Sequence, residues 1–235
     1  MTEDRLELDH EFDLLINYDP NRWLEIPPRW DRESWQKADD WSRECAELLW
    51  QAFAQHPGKS GVAFLAGTLR CCADAFAPER FDTRVLLHIA SPTALPLPLV
   101  ASVEPASGAR ERTLRALVKA DDPEAVEPPV VAAHHTKQLG DGLRAFRYVR
   151  QDDTSEVIAG ITYAWRVHDV GADVTLWTAT DDTGQIIRAS QDIEELAHKL
   201  SVRVLDLEPE SEASPGTAAL RRRGLVADER GYRDA

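Results

Sequence analysis

The segment VIAGITYAWRV (157–167) places Val157, Ala159, Ile161, Tyr163, Trp165 and Val167 at every second position without a break. Successive side chains of a strand point to opposite faces, so this row is one apolar face of a β-strand. It sits within 143–189, where runs rich in Val, Ile, Tyr, Thr and Trp are interrupted by QDDTS (151–155), DVGA (169–172) and DDTG (181–184). Each interruption is a turn by composition, and the spacing predicts a four-strand antiparallel meander. SQDIEELAHKL (190–200) then closes it as a helix. Ser190 serves as N-cap, and Ile193, Leu196, Ala197 and Leu200 form the face that packs back on the sheet.

Towards the N-terminus, NRWLEIPPRW (21–30) opens a stretch that holds Trp23, Trp30, Trp35, Trp41 and Trp50, five of the seven tryptophans. With Asp31 as N-cap, Trp30 and Trp35 take the N′ and N4 positions of a hydrophobic staple. Trp35, Ala38, Cys45, Leu49, Ala52 and Phe53 follow at helical spacing, until His56–Pro57–Gly58 ends the helix. Trp41 falls at the margin of this stripe and Trp50 points well away from its centre, so Trp50 is expected at the surface.

GVAFLAGTLRCCADAF (61–76) is apolar on both alternating faces and reads as a central strand. RVLLHIA (84–90) reads as another strand, with Val85, Leu87 and Ile89 inward. In SPTALPLPLVASV (91–103), Pro96 and Pro98 restrict the chain to an edge strand or an extended loop. RERTLRALVKA (110–120) fits a helix through Leu114, Leu117 and Val118 and a strand through Leu114, Ala116 and Val118, and the helix is the preferred reading. The expected fold class is therefore α+β, an antiparallel sheet covered by helices as an α/β/α sandwich. A single domain spans residues 1–207. Beyond it, 208–235 loses periodicity, gains Pro, Ser, Gly and charge, and reads as a flexible tail.

The 235 residues carry 27 basic and 41 acidic side chains, a formal net charge of −14. Such a surface repels phosphate backbones and anionic headgroups, which argues against nucleic acid as a partner. Arg221–Arg222–Arg223 is the one short basic run, and it lies in the tail. No apolar run reaches the roughly 18 residues of a membrane span. The opening MTEDRLELDHEFD is acidic where a secretory signal is basic, so a cytoplasmic location is expected. Three cysteines, two of them adjacent, do not make a disulfide framework. Arginine-rich, lysine-poor composition with abundant Ala and Asp suggests a GC-rich bacterial source.

Catalytic motifs are absent: the sequence contains no GxSxG, HExxH, P-loop or GxGxxG. His134 and His135 are adjacent, and on a strand they point to opposite faces, so no metal site is expected from them. Cys71–Cys72 meets the same objection. The Asp pairs at 39–40, 121–122, 152–153 and 181–182 fall in turns or on a helix flank, where local hydrogen bonding explains them. Arg166 and His168, near Thr175 and Trp177 by hairpin register, form a polar cluster that a helix or solvent covers. No catalytic residue, metal or cofactor is expected.

The order of elements, together with W…IPPRW and GLRAFRYV…GITYAWRV…VTLWTATDD…IEELAHKL, resembles the PsbP-like α/β/α sandwich family over roughly residues 10–203. That family includes photosystem II extrinsic subunits and a Ran-binding nuclear-transport factor. The resemblance implies a non-catalytic accessory protein that binds a protein partner, and it carries no site residues with it. From the residues themselves, a contact surface including Trp23, Trp50, Pro96 and Pro98 is expected, because exposed tryptophan dominates interface energetics. The alternatives are a helix-grip carrier of a small apolar ligand, and an enzyme using His134, His168 or a turn aspartate.

Overall fold

The computed structural model describes residues 11–28, 30, 35–76, 82–150 and 156–205. Asp31, Asp152–Asp153 and the segment from 206 onward, including the basic run and the expected tail, lie outside the described residues.

Seven strands form one antiparallel sheet: β2 (Trp23–Ile26), β3 (Thr83–His88), β4 (Leu97–Pro105), β5 (Val130–Thr136), β6 (Gly140–Arg150), β7 (Val157–Val167) and β8 (Ala172–Thr180). Their order is β2-β3-β4-β8-β7-β6-β5, and β1 (Glu11–Ile16) pairs with β9 (Leu200–Leu205) in a separate two-stranded ribbon. The long alternating strand is β7, flanked by β6 and β8 as expected. The fourth strand of the meander lies before β6, as β5, and not after β8. Residues 183–189 belong instead to helix α4 (Thr183–Ala197), capped by Asp182, whose carboxylate accepts from the Gln185 amide at 3.2 Å. Ser190 is an interior residue that bonds back to the Ile187 carbonyl.

Alternation along the strands separates two cores. Ile161, Tyr163, Trp165, Leu176, Leu99 and Ala101 face α4 and the β1–β9 ribbon. Val85, Leu87 and Ile89 face α1 (Ala38–Ala52) and α2 (Gly61–Phe76) on the opposite side. Ala145 and Ala164 on that same opposite side receive α3 (Arg110–Leu117) through Leu114 and Val118. The α+β class and the layered arrangement follow directly.

The segment 61–76 is a helix, which corrects the strand reading. Leu65, Leu69 and Ala73 recur every four residues as its buried stripe. An apolar run of this length is too long for an ordinary strand, and it contains only two β-branched residues, Val62 and Thr68. A second correction follows from the first. Trp50 is 5% exposed, because it packs against the start of α2: a Cβ at Gly61 would lie 2.7 Å from Trp50 Cζ2. With α2 read as a strand, nothing was left to cover Trp50. Helix α1 also begins later than the staple requires, at Ala38. Trp30 packs tilted against Trp41, with ring centroids 5.7 Å apart, and Trp35 Nε1 donates to Glu44 at 2.7 Å.

β4 is the third strand of seven and no edge strand. Its ladder with β8 begins only at Val100, so Pro98 lies beyond it, and the Pro98 carbonyl accepts from the Thr178 hydroxyl at 2.6 Å. The missing amide of proline therefore breaks no rung.

Two substitutions separate tight packing from open space. A Cβ at Gly142 would come closer than 3.0 Å to the Ala164 carbonyl and to Cγ and Cδ1 of Trp165. Gly142→Ala should cost about 1–3 kcal/mol of unfolding free energy. Gly67→Ala, in the interior of α2 with nothing within 4 Å, should gain about 0.5–1 kcal/mol. Trp50→Ala should cost roughly 3–5 kcal/mol, read from the urea midpoint at constant m-value.

Candidate functional site

Two surfaces carry side chains that the cores do not use. The first begins at His134 on β5. Register places His134 opposite Gly142, and Gly142 opposite Trp165. Because Gly142 has no side chain, the Trp165 indole crosses β6 and meets the His134 ring at 5.4 Å. Tyr163, two residues earlier on the same face, stacks on Trp165 at 5.7 Å and meets His134 edge-on at 4.8 Å. The imidazole is thus walled by two aromatic rings and is 7% exposed.

Helix α4 supplies the other half. Glu194 and the C-cap residue His198 are four apart, hence on one helix face. Glu194 Oε1 lies 2.8 Å from His134 Nε2 and 3.6 Å from His198 Nε2. Its other oxygen, Oε2, accepts from the Tyr163 hydroxyl at 3.0 Å and has Arg144 at 3.6 Å. Burial pushes the Glu194 carboxyl up, but the bonds from His134 and Tyr163 and the Arg144 charge outweigh it, so the group is held below its usual range. Burial and the Glu194 charge raise the Tyr163 hydroxyl, keeping it a neutral donor. His134, Glu194 and His198 offer ligand atoms all within 4.8 Å of one another.

The adjacent histidines do point to opposite faces: His135 is exposed and bonds Asp141 at 2.8 Å. The expectation of no metal site weighed His134 and His135 alone, without the side chains that a helix some 60 residues further on brings beside His134. The Glu194–x3–His198 spacing was visible in the sequence as a one-face pair.

The second surface is the sheet face opposite α4, between the α1–α2 layer and α3. Pro98, Val100 and Ser102 of β4 and Thr175 and Trp177 of β8 share it by alternation, with Val100 directly opposite Trp177. Trp177 is 38% exposed, the most exposed large aromatic in the sheet. Of the four residues expected to bind a partner, Trp23 (4% exposed, edge-on to His88 at 5.0 Å) and Trp50 lie inside the cores. Pro96 is buried, and Pro98 is half-buried on the Trp177 face.

Other candidates have structural partners. Arg166 forks onto Asp173 with two 2.7 Å bonds and donates to the Ser107 and Gly108 carbonyls, bracing the loop before α3. His168 begins a 3-10 turn and is not in the strand. Asp39 bonds Arg70, Asp121 bonds Arg115, Asp122 pairs with Arg147, and Asp182 caps α4. Cys71 and Cys72 sit on α2, and burial pushes the Cys45 thiol up to about 12, leaving it protonated and unreactive.

No family model matches this sequence. No curated protein matches it. Among solved structures, the 1.9 Å crystal structure of the Saccharomyces cerevisiae Ran-binding protein Mog1p is similar over 57% of this chain and 85% of its own, with 10% identity and a TM-score of 0.36. The likeness is distant, and membership of the PsbP-like family is not shown by it. The fold class rests on the strand order and register of this chain itself.

Proposed function

We propose that the chain is a non-catalytic accessory domain that binds a protein partner within a cytoplasmic bacterial assembly, using the sheet face around Trp177. The supporting observation is the position of that tryptophan. Its six counterparts are buried or half-buried, whereas Trp177 stands 38% exposed on a strip of sheet between two helical layers. Trp is the residue whose burial contributes most at interface centres. The rest of the strip is small or short: Val100 and Pro98 beside it, with the Ser102 and Thr175 hydroxyls bonded to each other at 2.7 Å. Little has to be desolvated or ordered for a partner to cover it. The formal charge of −14 steers encounter towards a basic partner surface.

The helix-grip alternative needs an enclosed apolar cavity beneath the closing helix. Here α4 meets the sheet through Ile186, Ala189, Ile193 and Leu196, all at most 2% exposed, so that space is filled by side chains. No described helix is long and apolar enough to cross a membrane.

The test is capture of partners by the full chain, comparing wild type with Trp177→Ala and with Leu48→Ala, a control 53% exposed on α1. Retention of a defined partner should fall at least about tenfold for Trp177→Ala, the scale of an interface hot spot, and stay unchanged for Leu48→Ala. Leu48→Ala should melt within about 2 °C of wild type, and circular dichroism should show Trp177→Ala still folded at the temperature of the capture. Equal retention by Trp177→Ala and wild type would remove this face from the interaction.

A further inference from the structure

We propose that His134, Glu194 and His198 form a binding site for one divalent cation of the zinc class. The inference stands apart from the docking face, which lies on the other side of the sheet. Three observations carry it.

The first is ligand type and spacing. Two imidazoles and one carboxylate are a recurrent three-ligand set for zinc, leaving a fourth position for water. Metal–ligand bonds of about 2.0–2.1 Å put tetrahedral ligand atoms about 3.4 Å apart. Glu194 Oε1 lies 2.8 Å from one imidazole nitrogen and 3.6 Å from the other, and all three ligand atoms fall within 4.8 Å. The 2.8 and 3.6 Å separations bracket that spacing.

The second is the division of the Glu194 carboxylate. Oε2 is held by the Tyr163 hydroxyl and faces Arg144, while Oε1 is turned between the two histidines. Metal-ligating carboxylates are oriented in this way by outer hydrogen bonds. A carboxylate that only tied α4 to the sheet would not need a second imidazole beside the same oxygen.

The third is the state of His134. Its ring is walled by Tyr163 and Trp165, and its Nδ1 is buried with no hydrogen-bond partner. The two rings fix the imidazole so that Nε2, and not Nδ1, is the nitrogen aimed at Glu194. Nε2 already shares the Glu194 oxygen that His198 approaches, which is the position a bound ion would take. His198, with its side chain 48% exposed, leaves an entry path from solvent.

The experiment titrates chelator-stripped full chain with zinc chloride by calorimetry, and with cobalt(II) by visible spectroscopy. One zinc ion per chain should bind, and cobalt(II) should develop the intense ligand-field bands of a four-coordinate ion. His198→Ala and Glu194→Gln should each weaken zinc at least about tenfold, because each removes or blunts one of three ligands. His135→Ala, the exposed neighbour, should bind as wild type does. His198→Ala is the decisive variant, since a half-exposed residue at a helix end can be removed without unfolding the chain, which circular dichroism verifies. No stoichiometric binding by wild type, or binding undiminished in His198→Ala, would overturn the site.

Discussion

The seating of α4 across the central strands is the constraint on which the remaining structure depends. Ile193 and Leu196 are buried against the face made by β7 and β8. On either side of Ile193, two carboxylates reach opposite flanks of the sheet. Asp192 bonds His88 of β3 at 2.8 Å and pairs with Arg22 just before β2. Glu194 bonds His134 of β5 and Tyr163 of β7. One helical turn thus ties β3 to β5, five places apart in the sheet order, and reaches Arg22 at the entry to β2. Apolar burial supplies the driving force, and the polar ends fix the angle at which the helix lies.

That angle explains why the strands after and before the helix are where they are. The chain leaves α4 at His198 and returns at once as β9, pairing with β1 so that Phe12 and Leu14 extend the same core. The Arg203–Asp13 pair at 2.6 Å crosses the ribbon on its exposed side. On the opposite face α1 and α2 pack on each other as well as on the sheet, and α1 carries the broader buried face. The buried set on α1, Ala38, Trp41, Cys45, Ala46 and Trp50, is wider than a single helix–sheet contact produces.

These facts set how much the sequence disclosed. β7 was readable because both neighbours in the sheet are its neighbours in the chain and its alternation is unbroken. β3 and β8 were readable because each has a sheet neighbour next to it in the chain, whereas the α3 segment fitted helix and strand spacing alike and only packing on Ala145 and Ala164 decides it. α2 was misread because its exposed face is itself largely apolar: Ala63, Phe64, Gly67, Cys71 and Ala75 stand in solvent, so the buried stripe of Leu65, Leu69 and Ala73 has little polar contrast in the sequence. β1 and β9 escaped notice because their pairing joins the two ends of the domain, so neither has its partner nearby in the sequence. The polar site divides the same way. Glu194 and His198 lie four apart and advertise a shared face, whereas His134 joins them only through tertiary packing.

β7 and β8 carry both candidate surfaces without mixing them. Tyr163 and Trp165 face α4 and wall the His134 ring, while Thr162 and Ala164, between and beside them, face the side that bears Trp177. Strand pleating makes this separation automatic: a side chain on one face reaches the other only through the backbone, which the ladder holds rigid. Removing the exposed indole of Trp177 leaves the ring stack beneath α4 intact, and removing His198 leaves β8 untouched. The two surfaces therefore respond to substitution independently. Coupling between them would require a shift of α4 against the sheet, and Ile193, fixed between its two flanking carboxylates, opposes that shift.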